Sequence, residues 1–281
     1  MVDLTWPFQP VVEDHVGSGS MAGSTAIGHT PLKLWEKMMA DGRGSKISVI
    51  TGFCSNEGID FVPTGKNSNE EFVHFFKTLI PSLIDNDLQE LQRLYPDPVM
   101  NPSSPFKVNG PEAAKQGQQF LRLSEAYAHY AYICPVFHTA DMLSRAGATV
   151  YVYEFAALSA PWRATPHASH GPTVSHDMSV IGKMPGMVKV AKEMSKRWAR
   201  FAAGGDLAER DAEAEKPWWP SFSSGIQGGE LLVFGQGNAE MTGEQQGGVP
   251  VGKRMLTDRE KEVCRFWWDN MALSQGMGEM R

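Results

Sequence analysis

Ala148-Thr-Val-Tyr-Val-Tyr-Glu-Phe155 is a run of β-branched and aromatic residues, and it predicts a buried strand. The polar segment Thr165-Pro-His-Ala-Ser-His-Gly-Pro172 follows and carries two of the eight histidines of the chain. On α/β scaffolds, catalytic groups usually lie on loops that follow buried strands. We therefore expect the 165–172 loop to carry part of a functional site.

A second strand-like run, Lys46-Ile-Ser-Val-Ile-Thr-Gly-Phe53, is followed by the turn Ser55-Asn-Glu-Gly58. An acid on a glycine-containing turn just past a buried strand can be held at low dielectric, where it accepts a hydrogen bond from an imidazole N–H. Such a carboxylate and imidazole form the orienting pair of a hydrolytic triad. A solvated surface acid is the alternative interpretation of Glu57.

The composition is that of a folded, acidic protein, with 42% hydrophobic residues, 21% charged residues and a formal net charge of −6. A chain of 281 residues can bury a substantial core in one or two domains. The negative charge argues against a nucleic-acid-binding surface. No apolar run reaches the roughly 18 to 20 residues that span a bilayer, and the first residues do not resemble a signal peptide.

Helical periodicity and capping residues predict helices separated by a few strands. The predicted helices are 31–40, 68–79, about 85–94, 111–146, 185–203 and one that begins at Thr257. Residues 230–234 are predicted as a third, short strand, residues 235–255 as a Gly-rich loop, residues 208–216 as a solvated linker and residues 1–31 as extended chain. This order predicts the α/β class, with a parallel or mixed sheet covered by helices.

Taken in order, these stretches resemble the C-terminal half of the type-B carboxylesterase/lipase (cholinesterase-like) family. The similar segments are Phe8–Asp14, Ile47–Phe61, Cys134–Val136, Val150–Phe155, Trp198–Ala202 with Gly205–Asp206, Trp219–Pro220 and Cys264–Trp267. They are collinear over almost the whole chain. The resemblance implies the C-terminal portion of an α/β-hydrolase fold, with a partial central sheet flanked by helices. Residues 1–281 would then be the C-terminal half of one domain.

The resemblance also implies that Glu57 is the triad carboxylate, while three histidines compete to be the base. His167 is favoured, because Pro172 lies five residues after it, as a proline commonly does in the family's histidine loop. His170 is the alternative, since it and the following glycine match the family's His-Gly pair. However, His170 also stands where the family commonly has an acid, and His176 lies close to the next helix.

The family's nucleophile motif, Gly-x-Ser-x-Gly between a strand and a helix, has no match in this sequence. The frame Gly19–Gly23 looks similar but is centred on Met21. The resemblance implies a carboxylic ester hydrolase, and we expect a truncated or split chain without the serine nucleophile and its N-terminal half. A non-catalytic binding protein that retains half of the esterase fold is the alternative. An unrelated hydrolase that uses Ser169 or Ser175 is a weaker third hypothesis.

Three cysteines are present, and in the cholinesterase branch the positions of Cys134 and Cys264 form a disulfide. The resemblance therefore implies this bridge, and secretion of the full-length parent into an oxidising compartment. Cys54, beside the Glu57 turn, is interpreted as a buried thiol.

The family implies a small-molecule or lipid ester as substrate and no cofactor. A metal site is another hypothesis, because His167, His170, His176 and Asp177 are residue types that bind zinc. Glycine and proline within this loop prevent the histidines from sharing one helical face. No metal is therefore expected.

Overall fold

A four-stranded sheet organises the chain in the computed structural model, which describes residues 31–42, 47–108, 115–161, 163–204, 207, 219–223 and 229–274. Its strands are β1 (Ser48–Cys54), β2 (Thr149–Phe155), β3 (Glu230–Asn238) and β4 (Gly247–Met255), in the spatial order β1-β2-β3-β4. The first three strands are parallel, and β4 pairs with β3 in the antiparallel direction. The predicted α/β fold with a mixed sheet is confirmed.

The register places the ends of β1 and β2 side by side, because Ser48 lies opposite Thr149 and Cys54 lies opposite Phe155. The turn that follows β1 and the loop that follows β2 therefore leave the sheet at the same edge. In open α/β sheets, this carboxyl edge of the strands is where ligands bind.

Ten helices surround the sheet within the described residues. They are α1 (Pro31–Asp41), α2 (Asn69–Leu79), α3 (Asp85–Leu94), α4 (Phe120–Ala128), α5 (Cys134–Arg145), α6 (Gly171–Val174), α7 (Met178–Ile181), α8 (Pro185–Ala202), α9 (Asp258–Asp269) and α10 (Met271–Ser274). A π-helical segment, His129–Ile133, joins α4 to α5. The predicted start of α2 is confirmed, because Ser68 and Glu71 form a capping box. No described helix has the length and apolar character needed to cross a membrane.

Side chains of β2 alternate between two hydrophobic cores on the two faces of the sheet. Val150 and Val152 join the larger core, to which α2, α3, α4, α5 and α9 contribute. Tyr151, Tyr153 and Phe155 join the smaller core, with apolar residues of α8. The expectation of helices on both faces of the sheet is therefore confirmed.

The prediction of a loop over residues 235–255 is wrong. β3 continues to Asn238, and residues 247–255 form β4. This segment is rich in glycine, and four glycines, Gly235, Gly237, Gly243 and Gly248, have positive φ angles. Within the described residues β4 lies at an edge of the sheet, where Pro250 is tolerated. The glycines and Pro250 make this hairpin hard to recognise in the sequence, and they are residues that an edge strand tolerates.

The predicted long helix 111–146 is interrupted at residues 117–119 and again at the π-helical segment. In that segment the N–H of Cys134 donates to the carbonyl of His129. Pro135 follows directly and removes a backbone donor, a common cause of such irregularity. Residues 111–114 lie outside the described residues, as do the linker predicted at 208–216 and the extended segment predicted before α1.

A buried network of three side chains joins the end of α3 to the π-helical segment and α9. The indole N–H of Trp267 donates to Tyr95 Oη over 2.9 Å, and Tyr95 Oη lies 3.0 Å from Nδ1 of His129. Because the indole only donates, the tyrosine hydroxyl is free to donate to a neutral imidazole. Burial raises the pKa of Tyr95 well above its ordinary value and lowers the pKa of His129.

This network predicts a loss of stability in mild acid. The unfolded chain carries His129 at an ordinary pKa of about 6.5, and burial lowers the pKa in the folded state. Below about pH 6.5 the unfolded state therefore binds more protons. The free energy of unfolding should then fall by up to about 1.4 kcal/mol per pH unit for this group.

Urea unfolding between about pH 7.5 and about pH 5.5 tests this expectation. His129→Asn, whose side-chain oxygen can accept from Tyr95 but does not titrate, should show a weaker dependence on pH. Equal slopes for wild type and variant would contradict the role of His129. His138 and His170, whose pKa values burial also lowers, should contribute to the slope that remains.

Candidate active site

Glu57 lies on the turn that follows β1, and it is almost fully buried. Its Oε1 accepts a hydrogen bond of 2.6 Å from the backbone N–H of Cys54, the last residue of the strand. A Cβ added at Gly58 would lie 2.0 Å from the carbonyl oxygen of Ser124 in α4. The turn therefore packs directly against the helix backbone, and this close approach requires glycine.

Two hydrogen bonds join this turn to the loop after β2. The backbone N–H of Asn56 donates to the carbonyl of Thr165 over 2.9 Å. In return, the N–H of Thr165 donates to Asn56 Oδ1 over 2.9 Å. Thr165 is fully buried, and its hydroxyl donates to the carbonyl of Ala157. The start of the histidine loop is thus held against the carboxylate turn.

His167 Nδ1 lies 2.5 Å from Glu57 Oε2. The carboxylate only accepts, so the Nδ1–H of the imidazole donates, and Nε2 of the neutral ring carries the lone pair. The glutamate side chain is 4% exposed and the histidine side chain is 42% exposed. Within the described part of the chain, Nε2 makes no hydrogen bond. The pair therefore combines a buried carboxylate with an imidazole that is open to a reacting group.

Two aromatic side chains hold the ring of His167. Tyr132 packs on it with ring centroids 4.5 Å apart and an angle of 36° between the planes, and Phe61 contacts it edge-on at 5.5 Å. Burial, together with the nearby Tyr127 and Glu57, raises the pKa of Tyr132 to about 12. The phenol therefore stays neutral at physiological pH, and the contact fixes the ring plane.

The other candidate histidines have different partners. His170 Nδ1 lies 3.3 Å from Cys54 Sγ, and its ring contacts Tyr153 and Phe155. His176 Nδ1 lies 3.2 Å from Ser195 Oγ in α8. Of the three competing histidines, the structure brings His167 to Glu57.

Neither serine of the third hypothesis is hydrogen-bonded to an imidazole. Ser169 Oγ donates to Cys54 Sγ, and Ser175 Oγ donates to backbone carbonyls of its own short helix. Among the described residues, no group of three or more histidine, cysteine, aspartate or glutamate side chains is arranged to hold a metal ion.

Cys54 is fully buried and is the free cysteine of the chain. Burial, and then the charge of Glu57, raises the pKa of its thiol to about 11. Since the thiolate is the reactive form, Cys54 is a poor nucleophile. We expect iodoacetamide to label the native chain at least about 100-fold more slowly than a free thiol at neutral pH, and to label one thiol after unfolding. Rapid native labelling, followed by mass spectrometry, would contradict this.

Cys134 and Cys264 form a disulfide that joins α5 to α9. The bridge implied by the sequence is therefore confirmed. Tyr132 and Phe61, in contrast, have no sequence signal as site residues. Tyr132 reaches His167 from the π-helical segment, an irregularity that helical periodicity does not reveal.

The sequence of the chain matches a known protein family. The model of the Carboxylesterase family matches residues 3–248. The chain belongs to the carboxylesterase family. Secreted lipase 4 of Gibberella zeae is 32% identical over 270 residues, which cover 95% of this chain and 41% of that protein.

The carboxylesterase chain also shares its fold with a solved structure, that of Aspergillus niger EstA. The TM-score is 0.59 at 20% identity, and the match covers 86% of this chain and 43% of the other. This likeness supports the α/β-hydrolase architecture expected from the sequence. The chain thus spans about two fifths of the length of these two relatives.

Proposed function

We propose that this chain supplies the carboxylate and the histidine of a carboxylic ester hydrolase, and that the serine nucleophile comes from residues outside it. One observation carries the proposal: the buried carboxylate of Glu57 accepts from Nδ1 of His167 at 2.5 Å, while the imidazole stays open. This is the arrangement of the orienting acid and general base in a serine hydrolase triad.

In the proposed mechanism, Nε2 of His167 takes the proton from the serine hydroxyl as its oxygen attacks the ester carbonyl. The resulting imidazolium gives that proton to the leaving alcohol, and the acyl group remains on the serine. Water then repeats the sequence: it loses a proton to Nε2, attacks the acyl carbon and releases the acid and the serine. Glu57 keeps accepting from Nδ1 and stabilises the imidazolium throughout.

The sheet supports an assembly with further residues. Within the described chain, β1 is an edge strand that pairs only with β2. Its sequence, Ser-Val-Ile-Thr-Gly-Phe-Cys, is largely apolar and only partly exposed. Open strand edges of this kind invite further pairing. We infer that additional strands join here, so that residues 1–281 are the C-terminal half of one carboxylesterase domain.

The substrate class follows from the family and from one relative. A small-molecule or lipid ester is the inferred substrate, and the name of the Gibberella zeae relative, a secreted lipase, favours a lipid ester. The same name and the disulfide between Cys134 and Cys264 support secretion of the parent protein.

A fluorophosphonate probe, which reacts covalently with activated serines, tests whether the nucleophile comes from residues outside this chain. We expect neither labelling nor turnover of a p-nitrophenyl ester series by the chain alone. Both should appear when the chain is produced together with the segment encoded directly upstream of it. Serine labelling within the chain alone would contradict the proposal. An assembled protein that is inert toward esters would instead favour the non-catalytic binding protein.

A further inference from the structure

Cys54 touches both parts of the candidate site. Its backbone N–H donates to Glu57, and its side chain contacts the loop that carries His167. Sγ lies 3.3 Å from Nδ1 of His170 and 3.6 Å from the hydroxyl oxygen of Ser169. Besides the hydrogen bonds between Asn56 and Thr165, contacts of its two histidines fasten the loop at the end of β1. His167 contacts Glu57, and His170 contacts Cys54.

The protonation states define the direction of these hydrogen bonds. Burial, and then Glu57, raises the pKa of the thiol to about 11, so Cys54 carries its proton at neutral pH. Burial, and then the neighbouring His167, lowers the pKa of His170, so its imidazole is neutral. The thiol therefore donates to His170 Nδ1, and the hydroxyl of Ser169 donates to the sulfur.

The loop needs such an anchor because its backbone is strained next to the candidate base. Ala168 has a φ of 61°, a left-handed conformation that is unfavourable for a residue other than glycine. The imidazole of His167 is 42% exposed, and among the described residues its polar partner is Glu57. A relaxed loop would move this ring away from the carboxylate.

We propose that Cys54 and His170 are positioning residues, whose mutual hydrogen bond holds the loop so that His167 stays on Glu57. This inference rests on the proposed function, because it assigns these residues to the same site. Cys54 and His170 would then act by holding the histidine loop in place, and not by nucleophilic or metal chemistry.

Hydrogen exchange of the His167 Nδ1 proton, followed by NMR in chain labelled with ¹⁵N-histidine, tests the inference. His167→Gln identifies the signal. His170→Leu and Cys54→Ala, which each remove one partner, should speed exchange about 5- to 10-fold, the factor expected for loss of one intramolecular hydrogen bond. His170→Asn, whose side-chain oxygen takes the place of Nδ1, should restore slow exchange.

His176→Asn is the matched control, because it removes an imidazole that binds Ser195 instead of Cys54. Unchanged exchange in both His170→Leu and Cys54→Ala would overturn the inference. An equally faster exchange of this proton in His176→Asn would also overturn the inference, since it would show a general loosening around the histidine loop. If the wild type lacks a protected Nδ1 proton, the Glu57–His167 pair itself fails, and so does the proposed function. An inert assembled enzyme with the expected exchange pattern would remove the function and leave the positioning role.

Discussion

Replacing both Cys134 and Cys264 with alanine is expected to lower the free energy of unfolding by about 4 to 5 kcal/mol. The two residues are 130 positions apart, so the disulfide closes a long loop of the unfolded chain. Both sulfurs are buried, and the bridge joins α5 to α9 within the larger core. A loss of this size is comparable to the whole stability of many domains.

Urea unfolding of the double variant, beside the wild type with and without a reductant, measures this loss. The reduced wild type should approach the double variant. Cys54→Ala, which removes the free thiol and leaves the bridge, is the matched control and should lose less. A loss below about 1 kcal/mol on removal of the bridge would contradict the expectation.

Arg122→Ala is expected to lower the free energy of unfolding by about 3 to 5 kcal/mol. This arginine is fully buried in α4, and its guanidinium lies 3.7 Å above the ring of Phe72 in α2. Its Nε donates to the carbonyl of Tyr95 over 2.7 Å. Its Nη1 donates to Asn69 Oδ1 over 3.0 Å and to Gln119 Oε1 over 2.9 Å. One side chain thus connects α4 with α2 and with the end of α3.

Burial of the charge opposes this stabilisation, and it lowers the pKa of Arg122 to about 10. Alanine removes that cost, but it leaves three acceptors without their donor and creates a cavity. Arg122→Lys keeps the charge without the forked donors, and should also destabilise the chain. Arg265→Ala, an exposed change on α9, should alter the free energy of unfolding by less than about 0.5 kcal/mol. Chemical unfolding of the three variants measures the free energy of unfolding of each. A loss in Arg122→Ala close to that in Arg265→Ala would contradict the expectation.

The elements with strong local patterns could be predicted from the sequence. The β-branched runs predicted β1 and β2, and capping residues predicted the starts of α2 and α9. Residues 230–234 of β3 were also predicted, but the rest of β3 and the whole of β4 were not, because glycine and Pro250 suppress the alternating pattern. These strands are specified by pairing with β2 and by the edge position, both of which are tertiary properties.

The residues of the candidate site could be predicted only in part from the sequence. Resemblance to the family implies that Glu57 is the triad carboxylate and favours His167 as the base. The residues alone do not decide which of the three histidines is the base. The choice depends on the reciprocal hydrogen bonds between Asn56 and Thr165, which join segments 109 residues apart. Tyr132 and the contact between Cys54 and His170 likewise depend on tertiary packing. The catalytic roles of Glu57 and His167 stay predictions.

Hydrolysis of a p-nitrophenyl ester by the assembled protein, with Glu57→Gln and His167→Ala beside the wild type, addresses those roles. The account predicts that each substitution lowers kcat on the order of 10⁴-fold with little change in KM, because both residues act in the transition state. His176→Asn, which removes a histidine between α6 and α7 that does not contact Glu57, should remain within a few-fold of wild type. Activities of the Glu57 and His167 variants within a few-fold of wild type would contradict the account.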